Sequence, residues 1–398
     1  MKKVKVLTKI LALFFVIAGI VSWSIPAPTQ ATEQNAVRLV VPNIGKADCL
    51  LLLFEDQAYL IDAGWERTYG ALREMLNQYG VSRLNGVFLT HCDKDHYGGM
   101  YQLAESGVAV DAWYAASIYY DIPKEGHPLV AAAALQGAEV TWLQAGDTLP
   151  LSDSASLTVL GPLTQNTENE NNNSLVFSVE TADGTLLFTG DMKLEEEGAL
   201  LAAGLIAAAD VLKVPFHGDN TASSLSFVDA VMPQVALICT STAEEPDTPA
   251  SSIVKRYSRA GALVAVTQEA TRGICVTLQA GRTRVEDVVW DLPDYSAVVT
   301  AEINQEEDLL TLRSSAGEDI DLGGWIIYST RGEDCVILPE GLTLPAGGAV
   351  TVGSRTTTQA VDLSLDIKRV WHKSKYDQCV VYDVSGGIAA VTDNGMPE

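Results

Sequence analysis

Two histidines and two aspartates lie within six positions of the chain, in the segment Thr90–Gly99, which reads THCDKDHYGG. His91 and His96 supply imidazole nitrogens, and Asp93 and Asp95 supply carboxylate oxygens. Imidazole suits zinc-like metals and carboxylate suits harder cations, so these donors are able to converge on one or two divalent ions. The chain has only five histidines, and two share this loop. We therefore favour a metal site over a polar surface loop in which two histidines are neighbours by chance.

The elements around this loop place it at the edge of a sheet. Gly86–Leu89 is a short apolar run typical of a buried strand, and a helix-like run follows from Met100 to Ser106. The earlier segments Cys49–Phe54 and Tyr59–Gly64 also read as strands, and the second carries Asp62 at its end. In open α/β sheets, ligands bind where strands end and loops lead into helices.

Further polar residues follow predicted strands later in the chain. The strand Thr185–Thr189 leads into Gly190 and Asp191, and the strand Val211–Pro215 leads into Phe216 and His217. An alanine-rich helix is predicted over Leu200–Ala209. Strands mixed with helices, with polar residues at strand ends, indicate an α/β layered domain.

The composition changes near Asp291–Tyr295, and beyond Ala301 no convincing helix is visible. Short β-type runs alternate there with Gly, Asp and Ser turns, which predicts a small β-sandwich. The six cysteines are scattered and form no C-x-x-C pair, which argues against a zinc knuckle or a dense disulfide scaffold. Cys335 and Cys379 share the C-terminal region and are able to pair, but two buried free thiols fit the sequence equally well.

The N-terminal segment indicates where the protein is located, and its net charge limits which partners it binds. Four lysines, the apolar run Ile10–Val21 and a small-residue exit near Ala31 predict a secretory signal peptide over residues 1–31, with an uncleaved anchor as the alternative. We therefore expect a secreted or extracytoplasmic protein, and association with the cell envelope stays open. The formal net charge of −25 repels phosphate backbones. That argues against tight, non-specific nucleic-acid binding, but not against a nuclease whose metals supply local positive charge.

Several separated segments, taken in order, resemble the metallo-β-lactamase fold, and within it the nuclease-like domain of ComEC-type DNA-uptake proteins. The resemblance covers about residues 36–291 and rests on six segments: Asn43–Asp48, Ile61–Gly64, His91–Gly99, Asn171–Val176, Gly190–Asp191 and, with one change, Leu212–Gly218. It implies an α/β hydrolase domain with an αββα sandwich, and one or two bound divalent metal ions, with zinc or manganese favoured.

The resemblance also implies two metal positions. The first would use His91 and Asp93, with a weak contribution from Asn172 or Asn173, and its carboxylate content favours Mn²⁺ or Mg²⁺ over Zn²⁺. The ligands of the second would be Asp95, His96 and His217, with Asp191 bridging. Asp95 would also orient the attacking water, so Asp95 and Asp191 are the predicted catalytic residues.

Some assignments in this region stay open. Relatives in the ComEC-like branch usually have two histidines where this chain has Phe216 and His217, and the sequence does not decide which position reaches the metal. Asn173, Ser223 and Ser224 are candidate donors to a substrate phosphate, with loop capping as the alternative. The remaining histidines, His127 and His372, are predicted to lie at the surface or to face a partner.

Residues 296–398 resemble a lamin-tail domain, a small immunoglobulin-like β-sandwich. The resemblance rests on the segments Asp319–Trp325, Leu344–Gly348 and Tyr382–Gly387. Trp325 reads most simply as a core aromatic residue of that sandwich. Such domains bind partners or nucleic acid in some relatives, and a partner for this one is not predicted.

Three functions follow from these observations. The first is a secreted metal-dependent phosphodiesterase or nuclease that uses metal-activated water. The second is a hydrolase of the same fold that acts on another ester, a thioester or a lactam, which the acidic charge keeps in consideration. The third is a degenerate, non-catalytic surface-binding or scaffold protein, which Phe216 and the asparagines in place of a metal-binding histidine keep in consideration.

Overall fold

The computed structural model describes residues 36–119, 123–288, 290, 293–332 and 334–396. The predicted signal peptide lies outside these residues. The part described forms one compact unit. No helix within it is both long enough and apolar enough to cross a lipid bilayer.

Two mixed β-sheets face each other in the N-terminal region. The first has the strand order β17-β16-β1-β2-β3-β5-β7-β8, and the second has the order β15-β14-β13-β12-β11-β10-β9. The strands of both sheets, with the small β4–β6 pair, are β1 Val37–Pro42, β2 Leu50–Phe54, β3 Gln57–Ile61, β4 Arg83–Leu84, β5 Gly86–Leu89, β6 Ala109–Val110, β7 Trp113–Ala116, β8 Val140–Leu143, β9 Thr148–Pro150, β10 Ser156–Gly161, β11 Val176–Thr181, β12 Gly184–Phe188, β13 Val211–Lys213, β14 Val235–Ile238, β15 Leu263–Val266, β16 Gly273–Gln279 and β17 Arg282–Asp287.

Helices cover the outer faces of both sheets. The α-helices are Tyr69–Gln78, Lys94–Tyr97, Met100–Glu105, Pro128–Leu135, Leu194–Ala202, Leu225–Val231 and Ser251–Arg259. One core fills the space between the sheets, where Phe177 packs on Phe88 and Phe188 with ring centroids 5.3 and 5.0 Å apart. Two further cores lie between each sheet and its helices. This is the predicted αββα layering, and it arises because strands such as β2 are apolar on both faces and must be covered on both.

The helix predicted over Leu200–Ala209 is wrong in its position. The structure has it at Leu194–Ala202. Glu195, Glu196 and Glu197 occupy its first turn, where carboxylates interact favourably with the helix dipole. Gly204 follows the last turn with a positive φ of 69°, the left-handed conformation that commonly terminates a helix. The alanine content predicted a helix there but not these two boundaries.

The C-terminal region is all-β, as predicted. Two four-stranded sheets, β18-β19-β24-β25 and β22-β21-β26-β27, enclose one core that includes Trp325, and a β20–β23 pair lies beside them. Cys335 and Cys379 are free thiols on β22 and β26. The strands are β18 Val299–Asn304, β19 Leu309–Ser314, β20 Ile320–Asp321, β21 Ile326–Ser329, β22 Cys335–Ile337, β23 Thr343–Leu344, β24 Ala349–Gly353, β25 Leu363–Ser364, β26 Gln378–Tyr382 and β27 Ile388–Asp393.

Candidate metal centre

The loop after β5 carries four of the predicted ligands on one short stretch of backbone. His91 follows the strand end, Asp93 precedes the one-turn helix Lys94–Tyr97, and that helix carries Asp95 and His96. Both imidazoles are buried, with His91 3% and His96 0% exposed. Buried imidazoles next to carboxylates are costly unless a proton or a cation compensates the negative charge.

Two distant segments, which carry Asp191 and His217, bring their side chains together with this loop. The His96 Nε2 and His217 Nε2 atoms lie 3.3 and 3.0 Å from Asp191 Oδ2, and His217 Nε2 lies 3.4 Å from Asp95 Oδ2. Asp95, His96, Asp191 and His217 each offer a ligand atom within 4.8 Å of the others. The structure thus gathers the four residues predicted for the second metal position.

The first predicted position has a looser arrangement. His91 Nε2 lies 3.5 Å from Asp93 Oδ2 and 3.9 Å from Asp191 Oδ2. The Asp93 side chain is 47% exposed, whereas that of Asp191 is 2% exposed. One imidazole and two carboxylates make this the harder donor set of the two positions.

Orphaned buried atoms identify what this cluster is built to hold. The Nε2 atoms of His91, His96 and His217 are buried, and in the neutral rings no donor satisfies them. Buried polar atoms are nearly always satisfied, so three such nitrogens that converge on Asp191 Oδ2 call for a ligand. Imidazole nitrogens and carboxylate oxygens together fit a divalent metal ion of the zinc or manganese type.

Outer contacts fix two of the imidazoles with Nε2 turned inward. His96 Nδ1 lies 2.7 Å from Asp62 Oδ2, and His217 Nδ1 lies 2.7 Å from the Cys239 carbonyl oxygen. The backbone N–H and hydroxyl of Thr90 also donate to the Asp62 carboxylate, at 2.8 and 2.7 Å. Because each Nδ1 has an acceptor, each is the protonated nitrogen in the neutral ring and Nε2 is free to bind metal.

The backbone around Asp191 is equally constrained. Gly190 has a φ of 49°, and a Cβ on it would lie within 3 Å of Ser174 and Thr90. The Ser174 hydroxyl accepts a hydrogen bond of 2.9 Å from the Asp191 N–H. The carboxylate is thereby held between the second sheet and the His91 loop, where it reaches all three imidazoles.

Charge compensation in this site involves two lysines that the sequence analysis did not select. Lys213 is 1% exposed, and its Nζ lies 2.5 Å from Asp48 Oδ2 and 3.8 Å from Asp191 Oδ1. Lys46 Nζ lies 3.0 Å from Asp95 Oδ2. The cluster contains five carboxylates (Asp48, Asp62, Asp93, Asp95 and Asp191) and these two ammonium groups. Five minus two leaves three negative charges. Protons on the histidines or bound cations must offset them.

The pKa values of the buried groups also show that this cluster requires positive charge. Burial lowers the pKa of His217, but the Asp191 carboxylate and hydrogen bonds to Asp191 and Asp95 outweigh burial and raise the pKa to about 9. Burial likewise lowers the pKa of His96, yet Asp191 and Asp62 hold it well above its usual value. Burial raises the pKa of Asp191, while His217 and His96 bring it well below its usual value. A metal ion therefore has to displace protons from this site.

The choice that the sequence left open at Phe216 and His217 is settled by the backbone. Both residues are left-handed, with φ of 47° and 52°. This turn directs the His217 imidazole to Asp191 and Asp95, whereas Phe216 is half-buried beside Lys46 and Lys193. His217 is thus the residue of the pair that reaches the cluster.

The three residues predicted to contact substrate have partners within the fold. The Asn173 amide bonds the backbone N–H and C=O of Asn166 and the carboxylate of Glu170. The Ser223 hydroxyl accepts from Tyr257 at 2.8 Å, and the Ser224 hydroxyl caps the helix Leu225–Val231. Only the Ser224 contact is a helix cap, and the role of all three as substrate donors stays a prediction. Asn172 accepts from the Lys193 N–H and donates to Glu195, so its amide is also engaged.

The two remaining histidines differ from each other. The surface position predicted for His127 is wrong, since the residue is 2% exposed, accepts from the Leu129 N–H and packs edge-on against Trp142. Burial lowers its pKa to about 4, so it is neutral. His372 is exposed, as predicted. The proline that follows His127 at the first helical position was the available sign of a helix cap.

Asp48 and Lys213 were the main omissions of the sequence analysis. Asp48 lay within a segment that carried the resemblance, and Lys213 is a charged residue inside an otherwise apolar strand, Val211–Val214. A lysine in such a strand must find a buried carboxylate, and that pattern was the available signal.

A four-layered α/β fold with imidazoles and carboxylates at one sheet edge defines a class of metal-binding hydrolases. The family model described as the metallo-beta-lactamase superfamily matches residues 43–242. The chain therefore belongs to the metallo-beta-lactamase superfamily, whose members are typically metal-dependent hydrolases.

Curated relatives are similar over part of their length. The chain is 29% identical to ComE operon protein 3 of Bacillus subtilis over 163 residues, which is 41% of this chain and 21% of that protein. It is 27% identical to competence protein ComA of Neisseria gonorrhoeae over 247 residues, which is 62% of this chain and 32% of that protein. The chain thus spans a third or less of the length of these relatives. Among solved structures, the metallo-beta-lactamase fold protein YhfI of Bacillus subtilis is 14% identical with a TM-score of 0.41, covering 61% of this chain and 99% of that one.

Proposed function

We propose that this chain is an extracytoplasmic metal-dependent phosphodiesterase that acts on nucleic acid or nucleotides. The observation that carries the proposal is the convergence of three orphaned imidazole Nε2 atoms on the Asp191 carboxylate. The similarity to two competence proteins supports a substrate related to nucleic acid. The lysine-rich N-terminus supports export.

The residues of the cluster have different roles in this proposal. His91, Asp93 and Asp191 would hold one divalent cation, and Asp95, His96, His217 and Asp191 would hold a second. A cation bound there supplies Lewis acidity and lowers the pKa of water toward neutrality. The Asp95 carboxylate, whose Oδ2 atom already accepts from Lys46 Nζ, would orient the nucleophilic water. Asp62 and the Cys239 carbonyl keep two imidazoles in the required tautomer.

The ammonium groups account for how an acidic protein is able to accept a phosphodiester. The chain as a whole carries −25, which opposes the approach of a polyanion. Lys193 lies beside Phe216, next to the metal centre, and adds positive charge there, whereas the Lys46 charge is paired with Asp95. Developing negative charge on a phosphate would then be stabilised by fixed positive groups.

The direct test is metal-dependent cleavage of single-stranded DNA and of a chromogenic phosphodiester by the purified chain. Asp191→Asn is expected to abolish turnover, because it removes the carboxylate shared by all three imidazoles. Asp153→Asn, at an exposed aspartate outside the site, is the matched control and is expected to keep full activity. Absence of cleavage with both Mn²⁺ and Zn²⁺ present would overturn the proposal.

Two alternative functions are tested with the same purified protein. The first alternative is a hydrolase of the same fold that acts on another substrate, and the overall acidity of the chain favours it. Activity on a panel of acyl esters, thioesters and lactams would distinguish it from a phosphodiesterase. Elemental analysis distinguishes a non-catalytic scaffold, because a tightly bound catalytic ion normally survives gentle purification. Less than about one metal ion per chain would favour the scaffold.

We also assign the C-terminal sandwich to the lamin-tail type. Support comes from its two packed four-stranded sheets and from Trp325, which is 1% exposed in their shared core. A structural comparison restricted to residues 296–396 tests the assignment, and a different strand connectivity would contradict it.

A further inference from the structure

Phe216 places a half-buried aromatic ring beside the metal centre. Its ring centroid lies 6.4 Å from that of His217, a residue of the cluster. The Lys193 Nζ atom lies 4.3 Å from the ring centroid, and Lys46 Nζ lies 5.9 Å from it. The backbone of Phe216 is left-handed (φ 47°, ψ 49°), a conformation that residues other than glycine rarely adopt.

This arrangement is poorly explained by packing alone. A core phenylalanine would be buried among apolar side chains, whereas this ring is partly exposed and faces two ammonium groups. Strained backbone clusters at functional sites, where it directs a side chain toward a ligand. Aromatic rings flanked by cations are the usual surface for a stacked base with its phosphate.

We propose that Phe216, Lys46 and Lys193 form the subsite for the nucleotide next to the scissile phosphodiester. The Lys193 ammonium lies over the ring face in the structure; when substrate binds, it moves off that face to pair with the adjoining phosphate, and the phenyl ring stacks on the base. This inference rests on the proposed phosphodiesterase function and narrows its substrate to phosphodiesters that bear a base.

The test compares a trinucleotide with the same molecule lacking its bases. Phe216→Leu keeps apolar bulk but removes the π-face, and we expect it to raise KM for the trinucleotide about tenfold or more while leaving KM for the abasic molecule unchanged. Phe216→Tyr is the matched control that keeps the ring and is expected to behave as wild type. Lys193→Gln is expected to raise KM for both molecules, because both carry the phosphate.

Equal responses of the two molecules to Phe216→Leu would overturn the subsite and leave the phosphodiesterase intact. If no phosphodiester is cleaved at all, the proposed function fails, and the subsite is then tested by equilibrium binding of the same two molecules in EDTA. Tighter binding of the base-bearing molecule by wild type, lost in Phe216→Leu, would still support it. Equal binding would overturn it.

A second inference rests on a different set of contacts, between the C-terminal sandwich and the hydrolase region. The Arg67 side chain is 7% exposed, and its guanidinium carbon lies 4.1 Å from the Trp65 ring centroid and 4.3 Å from that of Tyr328 on β21. An Arg67 Nη2 atom pairs with Glu244 Oε1 at 3.5 Å. Arg67 is therefore enclosed by Tyr328 and Tyr382 of the sandwich and by two residues of the hydrolase region.

The two hydrolase residues that contact Arg67 also hold the backbone of Lys46. Glu244 Oε2 accepts from the Lys46 N–H at 2.9 Å, and Trp65 Nε1 donates to the Lys46 carbonyl at 3.0 Å. Lys46 in turn reaches Asp95 Oδ2 through its Nζ, at 3.0 Å. A continuous set of contacts thus runs from the sandwich through Arg67 to a predicted metal ligand.

We infer that Tyr328 and Arg67 are positioning residues, through which the C-terminal sandwich orients Lys46 and Asp95. The sandwich then contributes to the geometry of the metal centre. The inference rests on the proposed metal centre, and a double-mutant cycle on metal affinity tests it without requiring turnover.

Arg67→Met and Lys46→Met are each expected to change metal affinity about fivefold, measured by competition with a chelator. The double variant is expected to show no more than the larger single effect, because both act on Asp95. Arg73→Met is the matched control, since Arg73 also binds the sandwich, through the Val384 carbonyl at 3.0 Å, but does not contact Glu244 or Trp65. We expect it to leave metal affinity unchanged.

Additive effects of Arg67→Met and Lys46→Met, or an equal effect of Arg73→Met, would overturn the inference. Tyr328→Leu keeps bulk and is expected to shift metal affinity in the same direction as Arg67→Met but by less, because Tyr382 still contacts Arg67. Melting temperatures of all variants identify any that lose the fold. Failure of wild type to bind metal would instead refute the proposed metal centre, which separates the two outcomes.

Discussion

Replacement of Lys213 by methionine tests the charge balance beneath the metal centre. The Lys213 Nζ atom lies 2.5 Å from Asp48 and 3.8 Å from Asp191, and all three side chains are at most 2% exposed. Coulomb's law at an effective dielectric constant of 20 gives about 7 and about 4 kcal/mol for these pairs. Desolvation of the ammonium offsets much of this, so the net loss expected from one missing partner is about 3–5 kcal/mol.

That loss is a large share of the stability of a typical protein, about 5–15 kcal/mol. The assay is urea denaturation in EDTA, which removes metal that would compensate the carboxylates. Lys255→Met, on the exposed face of the helix Ser251–Arg259, is the matched control and is expected to change the free energy of unfolding by less than about 0.5 kcal/mol. Asp48→Asn added to Lys213→Met should recover part of the loss, because one uncompensated charge is removed. A loss below about 1 kcal/mol for Lys213→Met, with no recovery in the double variant, would refute the reasoning.

Three further predictions concern histidines. Because the His217 pKa is about 9 and the His96 pKa is also raised, affinity for metal should rise at least tenfold per pH unit between roughly pH 7 and 9, and chelator competition that shows no pH dependence would contradict this. Asp62→Asn should weaken metal binding about 10–100-fold, since His96 Nδ1 loses its carboxylate partner, and an unchanged dissociation constant would count against it. The folded His127 pKa of about 4 lies below its ordinary value of 6.5, so His127 stabilises the fold above pH 6.5 and this contribution, about 3 kcal/mol, is lost as pH falls toward 4. His127→Asn keeps a cap acceptor for Leu129 and should flatten the dependence of unfolding free energy on pH in that window, whereas an unchanged slope would exclude His127 as its source.

The pattern along the chain was sufficient to predict the layers. Strands β2 and β5 are continuous apolar runs, and they are buried along their whole length in the structure. The C-terminal runs separated by Gly, Asp and Ser turns form two packed sheets. Such predictions succeed because continuous apolar runs of strand length, bounded by turn residues, are visible locally in the sequence.

The conformation of individual turns could not be predicted in the same way. Phe216 and His217 are adjacent, and only their left-handed backbone determines which side chain faces Asp191. Asn173 has the residue type of a substrate donor, but the folded loop engages its amide with Asn166 and Glu170. Side-chain direction in such loops depends on contacts with residues that are not neighbours in sequence.

The sequence by itself determined the donor types and their nearest spacing, because His91, Asp93, Asp95 and His96 lie on one loop whose geometry is local. Only the tertiary structure decided which distant groups complete the site, including Asp191 and His217 from the second sheet and the buried Lys213. The physical reason is that several carboxylates are stable in one buried place only when cations, protons or metal ions are assembled around them, and that assembly exists only after the two sheets have packed together.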